Sequence, residues 1–573
     1  MRYQDVEWHS LATSTSIGGA TADSKLASDA SDVLPLLTGD DLEDILRRLP
    51  TQAIQRTLRH GLVPVAWRPD HVQYASCGPR GTGYAARRSL SVVARITPTD
   101  FHKSVRRVWG RKILARATYG LFASHPQFSA RRRVTLCQMI AFLLIAVCPG
   151  IGLAVFPAST VWAGASAVLG LFFLSVVALR LFCLFPLPSS RNRNVKSLND
   201  ARLPVYSVLV PVLKETSVLK QLLRALLHLN YPAGKLDIKI IVEETDIAMR
   251  RALWKYDLPP HFEVIMVPQG SPQTKPRALN YALQFCRGSL LTIYDAEDVP
   301  EPNQLREIAR KFSGAEEELA CVQAQLTFYN PNENWLTRQF TAEYATLFGL
   351  ILPALAAHNL PLQLGGTSNH FRTHSLRKIG GWDPYNVTED ADLGLRLARL
   401  GFRTDVAESL TYEEANTQLL NWLRQRARWI KGFMQTWLVH MRNPVRTARE
   451  LGSTGFWTLQ SFTAGVFLSA LFHPFLIAIS IWLFIVNPPE ASLPAMALAG
   501  LNVEVFVLGY GVAMLAAVKA LRRRGLYGWW VTIATMPAYW LLISVAAWLA
   551  LWQFIFSPFT WNKTQHGLSK LQE

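Results

Sequence analysis

Cysteine pairs and an ordinary share of charge are both missing from this chain. Of 573 residues only 17% are charged, against 50% apolar and 18 tryptophans, and mean hydropathy is positive. Freely soluble domains carry about a quarter of their residues charged, so this composition points away from one. The six cysteines (Cys77, Cys137, Cys148, Cys183, Cys286, Cys321) show no metal-type pairing. They read as small apolar residues in a reducing compartment, which argues against a disulfide framework or a zinc site. The first 30 residues are polar and Ser/Thr/Ala-rich with no apolar core segment. No signal peptide is expected there, and residues 1–31 are expected to be disordered. Acid is missing locally as well: residues 101–133 hold nine Lys or Arg and no Asp or Glu.

Long apolar runs and a net charge of +18 are present instead. Thr135–Phe156 and Thr160–Phe185 are each long enough to cross a bilayer, which takes about 20 apolar residues. Arg131–Arg133 and Arg191, Arg193 and Lys196 flank the outer ends of this hairpin (135–186), which places both ends in the cytoplasm. After Gly455 come Phe456–Val486, broken at His473-Pro474, then Ala495–Val518, followed by Lys519 and Arg522–Arg524. Last is Trp529–Phe556, interrupted by Pro537. The number of crossings in 456–556 stays open, because each block suits one tilted helix or an interfacial helix followed by a spanning one. Glu504 lies inside an apolar block, where a carboxylate is costly and points to a channel-facing role. Nucleic acid binding would also account for the charge, but these runs weigh against it, and no nucleic acid partner is expected.

Two stretches have soluble composition. Residues 32–126 carry helix patterns at Asp40–Leu49 and Gln52–His60 and a strand at Leu62–Trp67, a small α/β unit. Residues 204–440 alternate strand and helix: Val205–Val212, Ser217–Leu229, Leu236–Val242, Arg277–Cys286 and Leu290–Tyr294. Such alternation, with acids at strand ends, predicts a mostly parallel sheet that binds its ligand along that edge.

The chemistry-bearing residues cluster there. Asp295, Glu297 and Asp298 just past a strand offer oxygen ligands to Mg²⁺ or Mn²⁺, although an isolated D-x-E is more often a polar turn. Lys275 and Arg277 suit a diphosphate, and equally an ordinary charged surface. Glu389 and Asp390 precede the helix pattern Ala391–Leu400. They supply either a base for proton abstraction or an acidic helix cap. Gln425, Arg426, Arg428 and Trp429 bring cations and an indole for an anionic, sugar-like ligand.

Taken in order, Val210–Glu215, Glu243–Asp246, Lys275–Asn280, Asp295–Glu297, Thr388–Asp390 and Gln425–Trp429 resemble the processive family-2 glycosyltransferases. That group contains the bacterial cellulose, curdlan and hyaluronan synthases. The resemblance implies α/β plus membrane α-helical architecture. A cytoplasmic GT-A domain (200–416) would be flanked by transmembrane helices, with interfacial helices at 417–455. It also implies a UDP-sugar donor, in the first instance UDP-glucose, and a divalent metal, Mg²⁺ or Mn²⁺, near Asp295, Glu297 or Asp298. Glu244 or Glu243 would meet the base or ribose, Lys275 with Arg277 the diphosphate, and Asp390 beside Glu389 and Thr388 would be the general base. Gln425, Arg426, Arg428 and Trp429 would clamp donor and acceptor. Gly365–His370 looks closest to bacterial β-glucan and exopolysaccharide synthases, and Phe559–Gly567, with Trp561 and Lys563, is similar to a gating loop in the tail 557–573. Residues 32–126 are similar to the N-terminal domain of type II secretion ATPases, which implies cyclic di-GMP as a ligand. Two departures stand out: Glu297 replaces the usual Asp, and Glu243-Glu244 replace an Asp pair.

The expectation is therefore a multi-pass enzyme of the bacterial inner membrane that polymerises and exports a β-linked polysaccharide. Two alternatives remain: single-sugar transfer to a lipid carrier, and a catalytically idle cyclic di-GMP-responsive receptor or scaffold of a secretion complex.

Overall fold

The computed structural model describes residues 34–37, 39–68, 71–185, 198–486 and 493–557. The expectations for residues 1–31, Trp561 and Lys563 lie outside them. Two compact units divide the chain. The first, Met1–Arg116 with Leu283–Phe285, contains α1 (Gly39–Arg48), α2 (Thr51–His60), β1 (Leu62–Trp67), β2 (Val72–Cys77), α3 (Gly78–Arg87) and β3 (Ser91–Ile96). β2 pairs antiparallel with β1 and parallel with β3. Asp40 and Asp41 open α1 and Arg47 and Arg48 close it, each matched to the helix dipole. Leu42 and Leu46, one turn apart, supply its buried stripe.

α4 (Pro98–Ser124) leads on to a pair of apolar helices in the second unit, α5 (Leu136–Val155) and α6 (Ala158–Leu184). Thr135 and Gln138 form a capping box at the start of α5. Leu136, Leu143 and Ile145 on α5 are 67%, 63% and 68% exposed. An apolar surface that open is unfavourable in water and at home in lipid.

The larger, eight-stranded sheet follows. Its strands are β4 (Tyr206–Val212), β5 (Leu236–Glu243), β6 (Phe262–Val267), β7 (Leu290–Ile293), β8 (Val299–Pro300), β9 (Leu319–Phe328), β10 (Asn369–Arg372) and β11 (Arg403–Glu413). Their spatial order is β6-β5-β4-β7-β10-β9-β11-β8. Only β10 and β8 run against the rest, since β10 is antiparallel to both β7 and β9 and β8 is antiparallel to β11. β4 and β5 are buried on both faces, hence their near-continuous apolar runs. The helices that carry the site are α7 (Lys275–Leu283), α8 (Trp335–Thr346), α9 (Glu389–Arg399) and α10 (Leu419–His440).

The chain ends in apolar helices α11 (Gly465–Val486), α12 (Leu493–Arg523) and α13 (Met536–Phe556). α11 runs on through Pro474 instead of breaking there. Among the described residues six helices are long and apolar enough to cross a membrane. Two of them, Trp335–Ala357 and Pro444–Phe472, have 61% of their apolar window buried in protein, against 6% for α5. Those two therefore pack against the sheet domain and its neighbours instead of presenting themselves to lipid. α10 lies on α13 through Ala427 against Ala546, Ala547 and Ala550, small residues that let the two helices approach closely.

Candidate active site

Because β5, β7 and β11 point the same way, Glu243 at the end of β5, Asp295 just beyond β7 and Glu413 at the end of β11 reach one edge of the sheet. That edge opens into a cavity of 1020 Å³. Of the residues expected at a site, Glu243, Lys275, Asp295, Glu297, Thr388, Glu389, Asp390, Gln425, Arg426, Arg428 and Trp429 all line it.

Lys275, at the first turn of α7, sits among the acids. Its Nζ lies 2.5 Å from Asp295 Oδ1 and donates to the Gly366 carbonyl at 2.8 Å. A Cβ on Gly366 would stand 3.3 Å from Asp390 Oδ2, so the Asp390 carboxylate lies close against the same glycine whose carbonyl Lys275 binds. Burial alone would lower the Lys275 pKa, but Asp295 and Glu389 overcome it and hold the ammonium firmly protonated.

Glu389 and Asp390 occupy the first turn of α9, where the helix dipole favours negative charge, and Asp390 Oδ1 accepts from the Ala391 N–H at 2.7 Å. Burial dominates all the same. It pushes Glu389 up to about 8, helped by Asp390, and raises Asp390, with Lys275 and Arg428 opposing. Glu297 rises to about 7 through burial and Asp295, and Glu413 rises through burial and the charges of Asp298, Glu297 and Asp295. Beside Glu243, which Arg277 neutralises, Asp295, Glu297, Glu389, Asp390 and Glu413 thus share two cations, Lys275 and Arg428, a shortage of positive charge that favours proton uptake.

That surplus of oxygen ligands suits a hard divalent cation. Among the described residues no three His, Cys, Asp or Glu side chains converge into a ready cation cage. This fits an ion held by one or two carboxylates, with phosphate oxygens completing its shell. Asp295 and Glu297 are the side chains that would hold it. Asp298 faces away from the cavity, bonded through Oδ2 to the Thr367 hydroxyl and the Asp295 N–H.

On α10, Gln425 accepts from Asn416 at 2.8 Å, and Arg428 lies within the field of Glu389, Asp295, Asp390 and Glu297. Trp429 completes an aromatic wall with Phe340 (6.0 Å between centroids) and Tyr344 (6.4 Å, 28° between planes). Gly432 lets α10 approach the Thr388 turn, for a Cβ there would stand 2.3 Å from Thr388 Oγ1. Any side chain would push Glu389 and Asp390 away from the edge.

Several expected residues sit elsewhere or are already engaged. Arg277 is fully buried and gives Nη2 to both oxygens of Glu243, at 2.7 and 2.6 Å. It holds Glu243 and does not face the cavity. Glu244 is exposed beyond the cavity wall, with Oε2 accepting from the Gln269 N–H at 3.4 Å. His370 is in the domain core on β10, bonded to the Tyr206 hydroxyl and Gln304, and burial depresses its pKa to about 3. Arg426 reaches the wall, but both its Nη atoms bond Glu343 at 2.6 Å and its guanidinium lies 4.4 Å from the Phe340 ring and 4.8 Å from Trp429. Glu504 is exposed and does not line the cavity. Sequence reasoning missed Glu413 and Glu343, since each needs a partner distant in the chain to reveal it.

Comparison with known proteins gives the geometry a context. Residues 204–432 match the family described as Glycosyltransferase like family 2. A beta-monoglucosyldiacylglycerol synthase of Trichormus variabilis is 26% identical over 53% of this chain and 62% of its own length. Cellulose synthase 2 of Novacetimonas hansenii is 27% identical over 50% of this chain and 17% of its own length. The chain spans less than two thirds of the length of either relative. Among solved structures, the mannosyltransferase PcManGT from Pyrobaculum calidifontis, in complex with GDP-Man and Mn2+, aligns over 69% of this chain and 98% of its own. It does so at 14% identity and a TM-score of 0.41. Residues 204–432 are thus similar to a family-2 glycosyltransferase domain, and candidate membrane helices stand on both sides of it.

Proposed function

We propose that the chain is an inverting glycosyltransferase that takes a UDP-sugar, in the first instance UDP-glucose, and extends a β-linked glycan through its own membrane helices. The observation that carries this reading is the shape of the cavity. Its walls include Asp295, Asp390 and Trp429 and also Ser469, Tyr510 and Ser544 on α11, α12 and α13. An acceptor end held on Trp429 would have a way onward, which processive extension requires.

The chemistry follows from the placement. The acceptor hydroxyl attacks the anomeric carbon as the bond from that carbon to the diphosphate breaks, and Asp390 takes the hydroxyl proton. A raised carboxyl pKa makes it an effective base near neutral pH. Lys275 and Arg428 neutralise the departing diphosphate, and a divalent cation at Asp295 and Glu297 adds positive charge there when bound. Gln425 and Trp429 orient the acceptor. Glu243, held by Arg277, is the acid available to the nucleoside.

Arg522–Arg524 and Arg131–Arg133 flank apolar helices, which supports a cytoplasmic catalytic domain at a bacterial inner membrane. For the first unit the resemblance offers cyclic di-GMP, testable by calorimetry on the full chain. Purified protein in nanodiscs, given radiolabelled UDP-glucose and Mg²⁺ or Mn²⁺, is expected to make long polymer. A second reading, one sugar to a lipid, is favoured by the glucolipid-synthase relative and the apolar walls of the membrane end. It predicts a short, solvent-extractable product instead.

A further inference from the structure

The two ends of the cavity carry opposite charge. At the sheet edge, acids outnumber Lys275 and Arg428. At the membrane end, among the described residues, Arg180 and Arg426 face one acid, Glu343. Glu343 already accepts both Nη groups of Arg426 and the Tyr539 hydroxyl at 2.7 Å. Arg180 acts on Glu343 only through space, and among the described residues it makes no hydrogen bond or ion pair. A cation lining a low-dielectric cavity without a bonded partner is costly, and an anion is the ligand that relieves it.

The depth of Arg180 narrows the choice of anion. It lies one turn before the end of α6 at Leu184, whose carbonyl accepts from Lys519 of α12. Five residues beyond Lys519, Arg524 donates to the Leu326 carbonyl of β9 at 2.9 Å. Arg180 therefore lies where the membrane helices meet the sheet domain, the level of lipid phosphates. Val176, Val177, Leu350 and Ala513 give the wall around it an apolar lining.

We propose that this end of the cavity is a phosphate subsite, in which Arg180 receives the phosphate of a membrane-soluble acceptor whose apolar tail lies along α6 and α12. The subsite rests on the reading above that the acceptor's cavity continues from the sheet edge into the membrane helices. In a polymerase that acceptor is the primer, and in a single-transfer enzyme it is the lipid that is glycosylated.

The test uses the full chain in neutral sugar-detergent micelles. Phosphatidic acid, diacylglycerol of the same chains, and inorganic phosphate are each titrated against wild type, Arg180→Gln and Arg180→Lys. UDP-glucose binding and the thermal midpoint are followed in parallel. Wild type is expected to prefer phosphatidic acid to diacylglycerol. Arg180→Gln should weaken phosphatidic acid at least about tenfold, the scale of a lost charge-assisted hydrogen bond, and Arg180→Lys should retain part of the affinity. Donor binding should not change in either variant. Inorganic phosphate that binds as well, and is lost equally in Arg180→Gln, keeps the subsite but makes its source a water-borne phosphate. Equal affinity of wild type and Arg180→Gln for phosphatidic acid, with donor binding intact, overturns the subsite. Failure of UDP-glucose to bind wild type counts against the glycosyltransfer reading alone.

Discussion

The two ends of β5 handle buried charge in opposite ways. At its start, Asp237 and Lys239 lie 2.8 Å apart, with Glu263 2.5 Å from Lys239 and Arg287 2.9 Å from Asp237. Burial would raise Asp237, but Lys239 and Arg287 prevail and hold its carboxyl below the ordinary value. At the other end, beyond Glu243, burial wins: Glu297, Glu389 and Asp390 are all raised. One network is closed within the protein, whereas the other is left short of positive charge. A structural charge cluster neutralises itself, and a functional one leaves room for a ligand to do so.

Replacing one acid at each end separates these roles. At the open end, Asp390→Asn should lower kcat by about 10²–10⁴-fold while leaving UDP-glucose affinity within a few-fold. Radiolabelled polymer assays alongside calorimetry read both. At the closed end, Asp237→Asn leaves Lys239 with Glu263 alone and takes the carboxylate from Arg287, which should cost roughly 1–3 kcal/mol of stability, with donor affinity of the folded fraction unchanged. Glu297→Gln should do the reverse, raising the metal-free thermal midpoint while weakening metal-dependent donor binding. If both substitutions destabilise alike, the contrast between the ends is lost.

A subtler probe is Gly432→Ala, whose Cβ would collide with Thr388. Turnover should fall by about tenfold or more from a displacement on the order of 1 Å, with partial recovery in the double variant carrying Thr388→Ala. The smallest effect expected is on pH. A carboxyl whose folded pKa exceeds its unfolded value binds more protons when folded, so stability falls as pH rises between the two. For Glu297 and Glu389 that window runs from 4.5 to about 8. The metal-free thermal midpoint should therefore drop from pH 5 to pH 8, and Mn²⁺ should restore it.

Much of the frame was legible in the sequence because it depends on local pattern. Strand Leu62–Trp67 has the ends expected of it, and β4, β5 and β7 fall within one residue of theirs. The helix expected at Ala391–Leu400 starts two residues earlier, which makes Glu389 and Asp390 part of its first turn. At that turn the cap and the candidate base are the same residues. What could not be read were partners far apart in the chain: Arg277 turned onto Glu243, Arg426 onto Glu343, and His370 onto Tyr206 and Gln304. Spacing shows which residues recur along a face, but not which side chain across the fold answers a buried charge. Nor does D-x-E-D reveal which acid turns inward. In the structure Asp298 does, because the Thr367 hydroxyl lies there to receive it.

The most direct measurement is the number of protons released when Mn²⁺ and UDP bind together at pH 7, obtained by calorimetry in buffers of different ionisation enthalpy. Acids whose protons are favoured by burial, and then by one another, must give up protons once a cation joins them. Wild type should release about one proton more than Glu389→Gln. Binding with no proton release, or with the same release in both proteins, would contradict a carboxylate site left short of positive charge.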